Sequence, residues 1–169
     1  RHCAFYDVSQ PLPAPCLTKS RVVGDRNGIL LKLSRNRHWC NHTPEAVASA
    51  DIPWASKTPD LVWRGTTTGK FFYQHPRYHL VQRWHDRYDV GFSSNKQNKQ
   101  VEEAMYKPHL GLEAQLKHAF VVSVEGNDVA TNLKWILMSN SVPIMPKPTC
   151  ETWLLESHLQ PYEHYVPVA

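Results

Sequence analysis

Two stretches of this 169-residue chain gather glycine, hydroxyl and positively charged side chains at spacings suited to holding an oxyanion. The first, Trp63-Arg-Gly-Thr-Thr-Thr-Gly-Lys70, leaves a predicted strand with a glycine turn, three hydroxyls, an arginine and a lysine. Donors and positive charge of this kind suit phosphate. A nucleoside-triphosphate loop is nevertheless excluded, because only Thr66, Thr67 and Thr68 separate the two glycines and Phe71 follows Lys70 where a Ser or Thr is required. The second stretch, Val124-Glu-Gly-Asn-Asp-Val-Ala-Thr-Asn-Leu-Lys-Trp135, places Gly126 where a strand should end and Asn127 or Asp128 where a helix should be capped. Free N–H groups at such a helix start point outward with a partial positive charge. They could hold a diphosphate, with Lys134 one to two turns along. The same residues also suit an ordinary capped strand-to-helix turn, and Glu125 and Asp128 read more simply as capping groups than as chemistry.

The elements that must carry these stretches alternate. Leu61-Val-Trp63, Tyr88–Phe92, Phe120–Val124, Val142–Met145 and Tyr165–Val168 are short apolar runs that predict strands. Between them, Pro76–Arg87, Gly111–His118, Val129–Asn140 and Thr149–His158 predict helices; Leu80, Val81 and Trp84 share one face of the first. That order is the sequence signature of a parallel α/β sheet, whose ligands sit beyond the carboxyl ends of the strands. Ahead of it, prolines 11, 13 and 15 predict extended loop after a short strand near Ala4–Val8. Gly24–Gly28 predicts a turn, Ile29–Leu33 a strand, and Thr43-Pro44 the capped start of a short helix over Ala46–Ala50. A polar connector over Ser56–Asp60 is a candidate unit boundary. Trp63 and Trp135 read as core, and Asp89 as the end of a strand segment near the cleft.

Composition narrows the classes. With 41% hydrophobic and 20% charged residues the chain is globular rather than disordered. No apolar run approaches the roughly 20 residues that cross a bilayer. Cys3, Cys16, Cys40 and Cys150 are too far apart for a disulfide scaffold and read as buried thiols; His38-Trp-Cys40-Asn-His42 lacks the second ligand pair of a zinc site. The net charge of +4 is spread thinly, so nucleic acid is not the expected partner.

The string Glu125–Trp135, followed by Ser139-Asn-Ser141, Met145-Pro146, Glu151-Thr-Trp153 and Pro161-Tyr-Glu-His-Tyr-Val166, closely resembles the glycosyltransferase family 90 domain, most of all its LpsA-type branch. Lys19-Ser-Arg21, Leu30–Leu33, Arg37-His38, Trp63-Arg64-Gly65, Pro76-Arg77 and Asp89-Val-Gly91 fall in the family's order, so the resemblance covers nearly the whole chain. It implies a GT-B architecture of two Rossmann-like lobes and inverting, metal-independent transfer from a UDP-sugar, with no cofactor beyond that donor. One domain's worth of residues cannot hold both lobes. The expected division is therefore residues 1–58 as the tail of the acceptor-side lobe and interlobe segment, and 59–169 as the Rossmann-like donor lobe, truncated at its C-terminus.

The resemblance places Arg64 on the diphosphate with Arg77 as a second candidate. Gly126, Asn127, Val129, Ala130 and Thr131 form the cradle, Lys134 reaches a phosphate or the nucleotide, and His164 touches the donor. Asp7, in Phe5-Tyr-Asp-Val8, stands where the animal enzymes carry an aspartate and is the expected base. The implied acceptor is a hydroxyl of a glycan, a lipopolysaccharide or capsule precursor, or a protein. The implied setting is the bacterial cytoplasm near the inner membrane, with peripheral membrane association open, or the ER or Golgi lumen for a eukaryotic homologue. A homologue that holds nucleotide-sugar or glycan without turnover is the alternative.

Overall fold

A computed structural model describes residues 11, 13–31, 39, 42–69 and 71–168. The strand expected near Ala4–Val8, and Asp7 with it, lie outside the described residues. Five parallel strands form the central sheet: β4 (Thr58–Thr66), β5 (Asp89–Ser94), β6 (His118–Val122), β7 (Val142–Met145) and β9 (Val166–Pro167), in the spatial order β5-β4-β6-β7-β9. The chain runs from β4 outward to β5, then returns past β4 to β6 and continues in one direction. The sequence thus folds as an α/β unit with a Rossmann-like parallel sheet whose strand order reverses between β4 and β6.

Strand alternation sorts the two faces. Trp63, Val90, Phe92 and Val122 pack with Val81 of α2 (Pro76–Trp84) in one core, while Val62 and Val121 pack with Val47, Leu116, Trp135 and Ile136 in another. The second core is supplied by α1 (Pro44–Ala50), α3 (Leu112–Leu116) and α4 (Leu133–Ile136). Each fully buried aliphatic side chain there contributes on the order of 1.5–3 kcal/mol. The start of α1 is as its sequence predicts: Pro44 opens it and Thr43 Oγ1 accepts a hydrogen bond from the Ala46 N–H at 3.2 Å.

Three expectations are corrected. The helix read over Val129–Asn140 is only the four residues of α4, preceded by turns. The segment Thr149–His158 is no helix; it forms β8 (Cys150–Glu151), turns, and a short 3-10 turn at Glu156–His158. Asp89 starts β5 rather than ending a strand at the cleft.

The N-terminal part is joined to this unit. Segment β2 (Arg21–Val22) pairs antiparallel with β8, and Arg21 Nε donates to Glu151 Oε1 at 2.8 Å. Strands β1 (Cys16–Thr18) and β3 (Gly28–Leu30) form a small parallel pair beside it. The connector expected over Ser56–Asp60 is already β4 from Thr58 onward. On either side of it, Val47 packs with Val62 and Val121 in the second core.

Candidate functional site

A cavity of about 230 Å³ opens beyond the carboxyl ends of β6 and β7. Ser123, Val124 and Glu125 line it from just past β6, Met145, Pro146 and Lys147 from the end of β7 onward, and His75 and Pro76 from the start of α2. Val129, Ala130 and Leu133 close it from the glycine loop. A larger groove of about 840 Å³ lies on the sheet face between α2 and β9, lined by side chains such as Leu61, Phe120 and Ile144. Ligands of open parallel sheets bind beyond the strand ends rather than on a face, so the smaller cavity is the candidate site.

The crevice at the order reversal, between β4 and β6, is filled by the Arg77 side chain. Its Nε donates to the carbonyls of Val124 (3.2 Å) and Glu125 (3.0 Å), its Nη2 to Val124 O (3.0 Å), and its Nη1 to Thr66 O (3.3 Å) and Thr68 Oγ1 (2.6 Å). One guanidinium thus staples the ends of two parallel strands. Burial lowers the Arg77 pKa to about 10, the Asp128 charge opposing the fall, so the group remains a cation at neutral pH. A Cβ at Gly126 would stand 2.8 Å from Arg77 Nη2 and 2.9 Å from Thr68 Oγ1, which is why glycine occupies that position.

Residues 125–128 are tied to five places elsewhere in the chain. Glu125 Oε1 accepts from the N–H groups of Thr149 (2.9 Å) and Cys150 (3.0 Å), and its Oε2 accepts from the Thr149 hydroxyl. Gly126 O meets His75 Nε2 at 3.2 Å. Asn127 Oδ1 accepts from Gly69 N (3.1 Å) and Gln97 Nε2 (3.3 Å). Asp128 Oδ2 accepts from Lys19 Nζ (2.8 Å) and Ser20 Oγ (3.2 Å). The loop is therefore fixed by long-range side-chain bonds, not by the start of a helix: α4 begins at Leu133, and Asn132, at the cap position, makes no side-chain cap bond. Asn132 instead spans to β6, donating from Nδ2 to Val122 O at 2.8 Å.

His75 joins the cavity to α2. Its Nδ1 accepts from the Arg77 N–H at 3.3 Å as the helix cap, leaving Nε2–H for Gly126 O. Burial first, then the charges of Arg77 and His79, lower its pKa below the ordinary histidine value, against the raising effect of the Gly126 bond. A neutral ring is what this pair of bonds requires. Burial, followed by the charge of Glu125, pushes the Cys150 thiol up to about 11, which keeps it in the thiol form at neutral pH.

The expected site residues separate. Gly126, Val129 and Ala130 meet at or beside the cavity, and Asn127 fixes their loop. Thr131 and Lys134 line a narrower adjoining cleft with Lys19, Thr152 and Trp153, and Lys134 Nζ lies 5.9 Å from the Trp39 ring centroid. Arg64 does not reach the cavity. Its Nε donates to Pro108 O (2.8 Å), its Nη1 to Trp63 O (3.0 Å) and Asp89 O (2.8 Å), and its Nη2 to Asp89 Oδ1 (2.8 Å), so it braces β4 against β5. Burial works against the Asp89 carboxylate, but Arg64 and Lys107 together hold its pKa below the usual range. His164 is exposed in the turn before β9, its Nδ1 accepting from Gln160 N at 2.9 Å, and lies off the cavity. Sequence reasoning missed His75, Lys147, Thr149 and Glu156, which reach the cavity from segments distant in the chain; His75-Pro76, a helix cap followed by a first-turn proline, was the one local signal.

A parallel α/β unit with a cavity beyond its strand ends is an architecture that many ligand-binding and catalytic proteins share. The comparison with known families narrows this: the profile of glycosyl transferase family 90 matches residues 35–169, and the chain belongs to that family. It is similar to the O-glucosyltransferase LpsA of Dichelobacter nodosus, with 34% identity over 166 residues. That match covers 96% of this chain and 48% of the relative, so the chain spans about half the relative's length.

Proposed function

We propose that this chain is the donor-binding lobe of a GT-B type glycosyltransferase that moves a glucose- or xylose-type sugar from a UDP-sugar to a hydroxyl of a glycan, a lipopolysaccharide or capsule precursor, or a protein. The observation that carries this reading is the cavity at the ends of β6 and β7, closed by the pinned loop 125–131. Its lining is mostly apolar, as a nucleoside asks, and Lys134 in the adjoining cleft supplies the positive charge that a diphosphate asks.

In inverting transfer the acceptor hydroxyl attacks the anomeric carbon through an oxocarbenium-like state, a carboxylate takes its proton, and the nucleoside diphosphate departs. A preorganised loop stabilises the leaving charge without reorganising as it develops. Here Glu125, Asn127 and Asp128, the last through Lys19, hold that loop in place, Val129, Ala130 and Thr131 lie against the diphosphate, and Lys134 supplies charge without a metal ion. Arg77 acts from beneath, by fixing the strand ends. Asp7 is the proposed base.

Titration calorimetry with UDP, ADP and GDP, with and without a chelator of divalent metals, tests the donor reading. Selective UDP binding that survives the chelator is expected; equal binding of all three, or none by a folded chain, overturns it. For Asp7, the Asp7→Asn form of the enzyme is expected to keep its UDP affinity and lose turnover by at least about a hundredfold, the scale of a lost general base. Undiminished turnover would move the base elsewhere.

A further inference from the structure

The loops that leave the carboxyl ends of β4 and β5 are joined to the 125–128 loop at one atom: Asn127 Oδ1 accepts from Gly69 N and Gln97 Nε2. Their described residues up to Gln74 and over 93–101 lie outside the cavity lining. Residues 66–75 and 93–101 together hold three lysines, five asparagine or glutamine side chains, and no aspartate or glutamate. Phe71 is 72% exposed and Tyr73 49% exposed. Lys96 is exposed with no described carboxylate within ion-pair distance, and Lys99 is half-buried.

Side chains hold both loops in shape. The Lys96 N–H donates to Thr67 Oγ1 at 2.8 Å, and that buried hydroxyl donates to Lys96 O at 2.6 Å. Asn95 closes the turn, donating from Nδ2 to Lys99 O (2.7 Å) and accepting from the Lys99 N–H at Oδ1 (3.0 Å). Tyr73 ties one loop to the other: its hydroxyl donates to Gln100 O at 3.1 Å and accepts from Gln100 N at 3.2 Å. Phe71, Gln97 and Asn98 sit in the left-handed region, with φ of 51°, 64° and 47°. For Phe71 that conformation is costly, and it leaves the ring mostly in solvent rather than in the core. Such an arrangement suits a ligand better than it suits the fold.

The residue types select the ligand. An aromatic ring has a negative face, which attracts the slightly positive C–H face of a sugar ring. Amide side chains both donate and accept, as sugar hydroxyls do. Lysines without neighbouring acids favour phosphate or carboxylate groups. Three lysines fall short of the basic groove that tracks a nucleic-acid backbone. We infer that the β4 and β5 loops form an acceptor subsite for a glycan that bears phosphate or carboxylate groups, Phe71 and Tyr73 stacking on its sugar rings while Lys96 and Lys99 pair with its anions. Their shared anchor on Asn127 puts this surface beside the loop assigned to the diphosphate. That the bound glycan is the acceptor rests on the donor reading above; that a glycan is held here does not.

Calorimetry with mannopentaose and its 6-phosphate, and with tetragalacturonate and its methyl ester, tests this beside UDP titrations of the same proteins. The native chain is expected to bind at least one charged glycan about threefold or more tighter than its neutral counterpart at low salt, the scale of exposed ion pairs, with the preference shrinking as salt is added. The pair with the larger preference identifies phosphate or carboxylate as the group read. Phe71→Asn removes the ring and places at positive φ a residue that tolerates it. It should keep or raise the urea midpoint, leave UDP affinity unchanged, and weaken glycan binding about fivefold or more. Lys96→Gln should reduce the preference for charge without lowering affinity for the neutral glycans. A chain that binds UDP but no glycan overturns the subsite and leaves the donor reading standing. So does equal affinity for charged and neutral glycans, unchanged glycan binding by folded Phe71→Asn, or a single-stranded oligonucleotide bound as tightly. Glycan binding that Phe71→Asn abolishes, in a chain that binds no UDP, overturns the donor reading alone.

Discussion

Replacing Arg77 by alanine is expected to lower the unfolding free energy by about 3 kcal/mol and to abolish measurable UDP binding in whatever folds. The first effect follows from what the guanidinium satisfies. Carbonyl groups of Thr66, Val124 and Glu125 lose a charged donor together, as does the Thr68 hydroxyl. A hydrogen bond to a charged group is worth about 1.5–3 kcal/mol, and the acceptors left behind are at strand ends that water reaches only in part. The cation also lies 5.9 Å from the Trp63 ring centroid, a contact that alanine deletes. The second effect follows from position: the bonded carbonyls lead straight into Gly126, whose backbone packs on the guanidinium, so the loop loses its floor. Arg77→Lys keeps the charge but cannot bridge β4 and β6 with one planar group, and is expected to recover less than half of the lost stability. Urea denaturation and UDP titration of both variants check this. A folded Arg77→Ala chain within about 1 kcal/mol of the native protein would show that the strand ends do not need the staple.

What the sequence made legible was whatever depends on near neighbours. Apolar runs marked all five strands of the central sheet, because each is a short run of neighbouring apolar residues, and Thr43-Pro44 marked α1 because cap and first turn are adjacent. The failures lie where distant segments decide. Thr149–His158 has helical spacing, yet Glu125 captures the N–H groups of Thr149 and Cys150, and β2 takes β8 as a partner, so tertiary bonds override local propensity. Leu133, Trp135 and Ile136 are buried as their spacing implies, but the chain tightens after them: Met138 and Ser139 donate back only three residues, and the Ser139 hydroxyl takes Ile136 O as well. Glycine and asparagine in loop 125–128 marked a tight loop after a strand, whereas its anchoring by Lys19, Ser20, His75, Gly69 and Gln97 spans up to 109 positions and leaves no local trace. Arg64 shows the converse, since its neighbours Gly65 to Gly69 look like a phosphate loop while its partner Asp89 is 25 residues away.

The pair that joins α1 to the sheet should give the other large effect, and one with a pH signature. Lys57 Nζ, fully buried, donates to Asp51 Oδ1 at 2.6 Å and to Leu116 O, while Asn140 N–H donates to Asp51 Oδ2 at 2.6 Å. One buried ammonium thus links the end of α1, the start of β4 and the end of α3. Lys57→Met keeps the length of the stem and removes the charge, leaving Asp51 without its cation and Leu116 O without its donor; about 3 kcal/mol is expected to be lost at pH 7. Burial works against ionisation of Asp51, yet the Lys57 bond, the Asn140 N–H and the Lys57 charge hold its native pKa below the ordinary value of about 4. The native protein therefore has this stabilisation in full above pH about 4 and loses it as the pH falls through the folded-state value. In Lys57→Met the balance shifts: with the Lys57 bond and charge gone, burial acts against only the backbone N–H groups of Asn140 and Ile52, the Asp51 pKa rises, and the carboxyl takes up a proton as the medium is acidified from pH 7, relieving part of the damage. The gap between the two proteins should then narrow by about 1 kcal/mol between pH 7 and pH 4.5, against roughly 1.4 kcal/mol for each unit of pKa shift. Urea midpoints at the two pH values measure the gap directly. A gap that stays constant would mean that Asp51 is neutralised by something other than Lys57, and the tie between α1 and the sheet would have to be sought in the packing of Val47 against Val62 and Leu116.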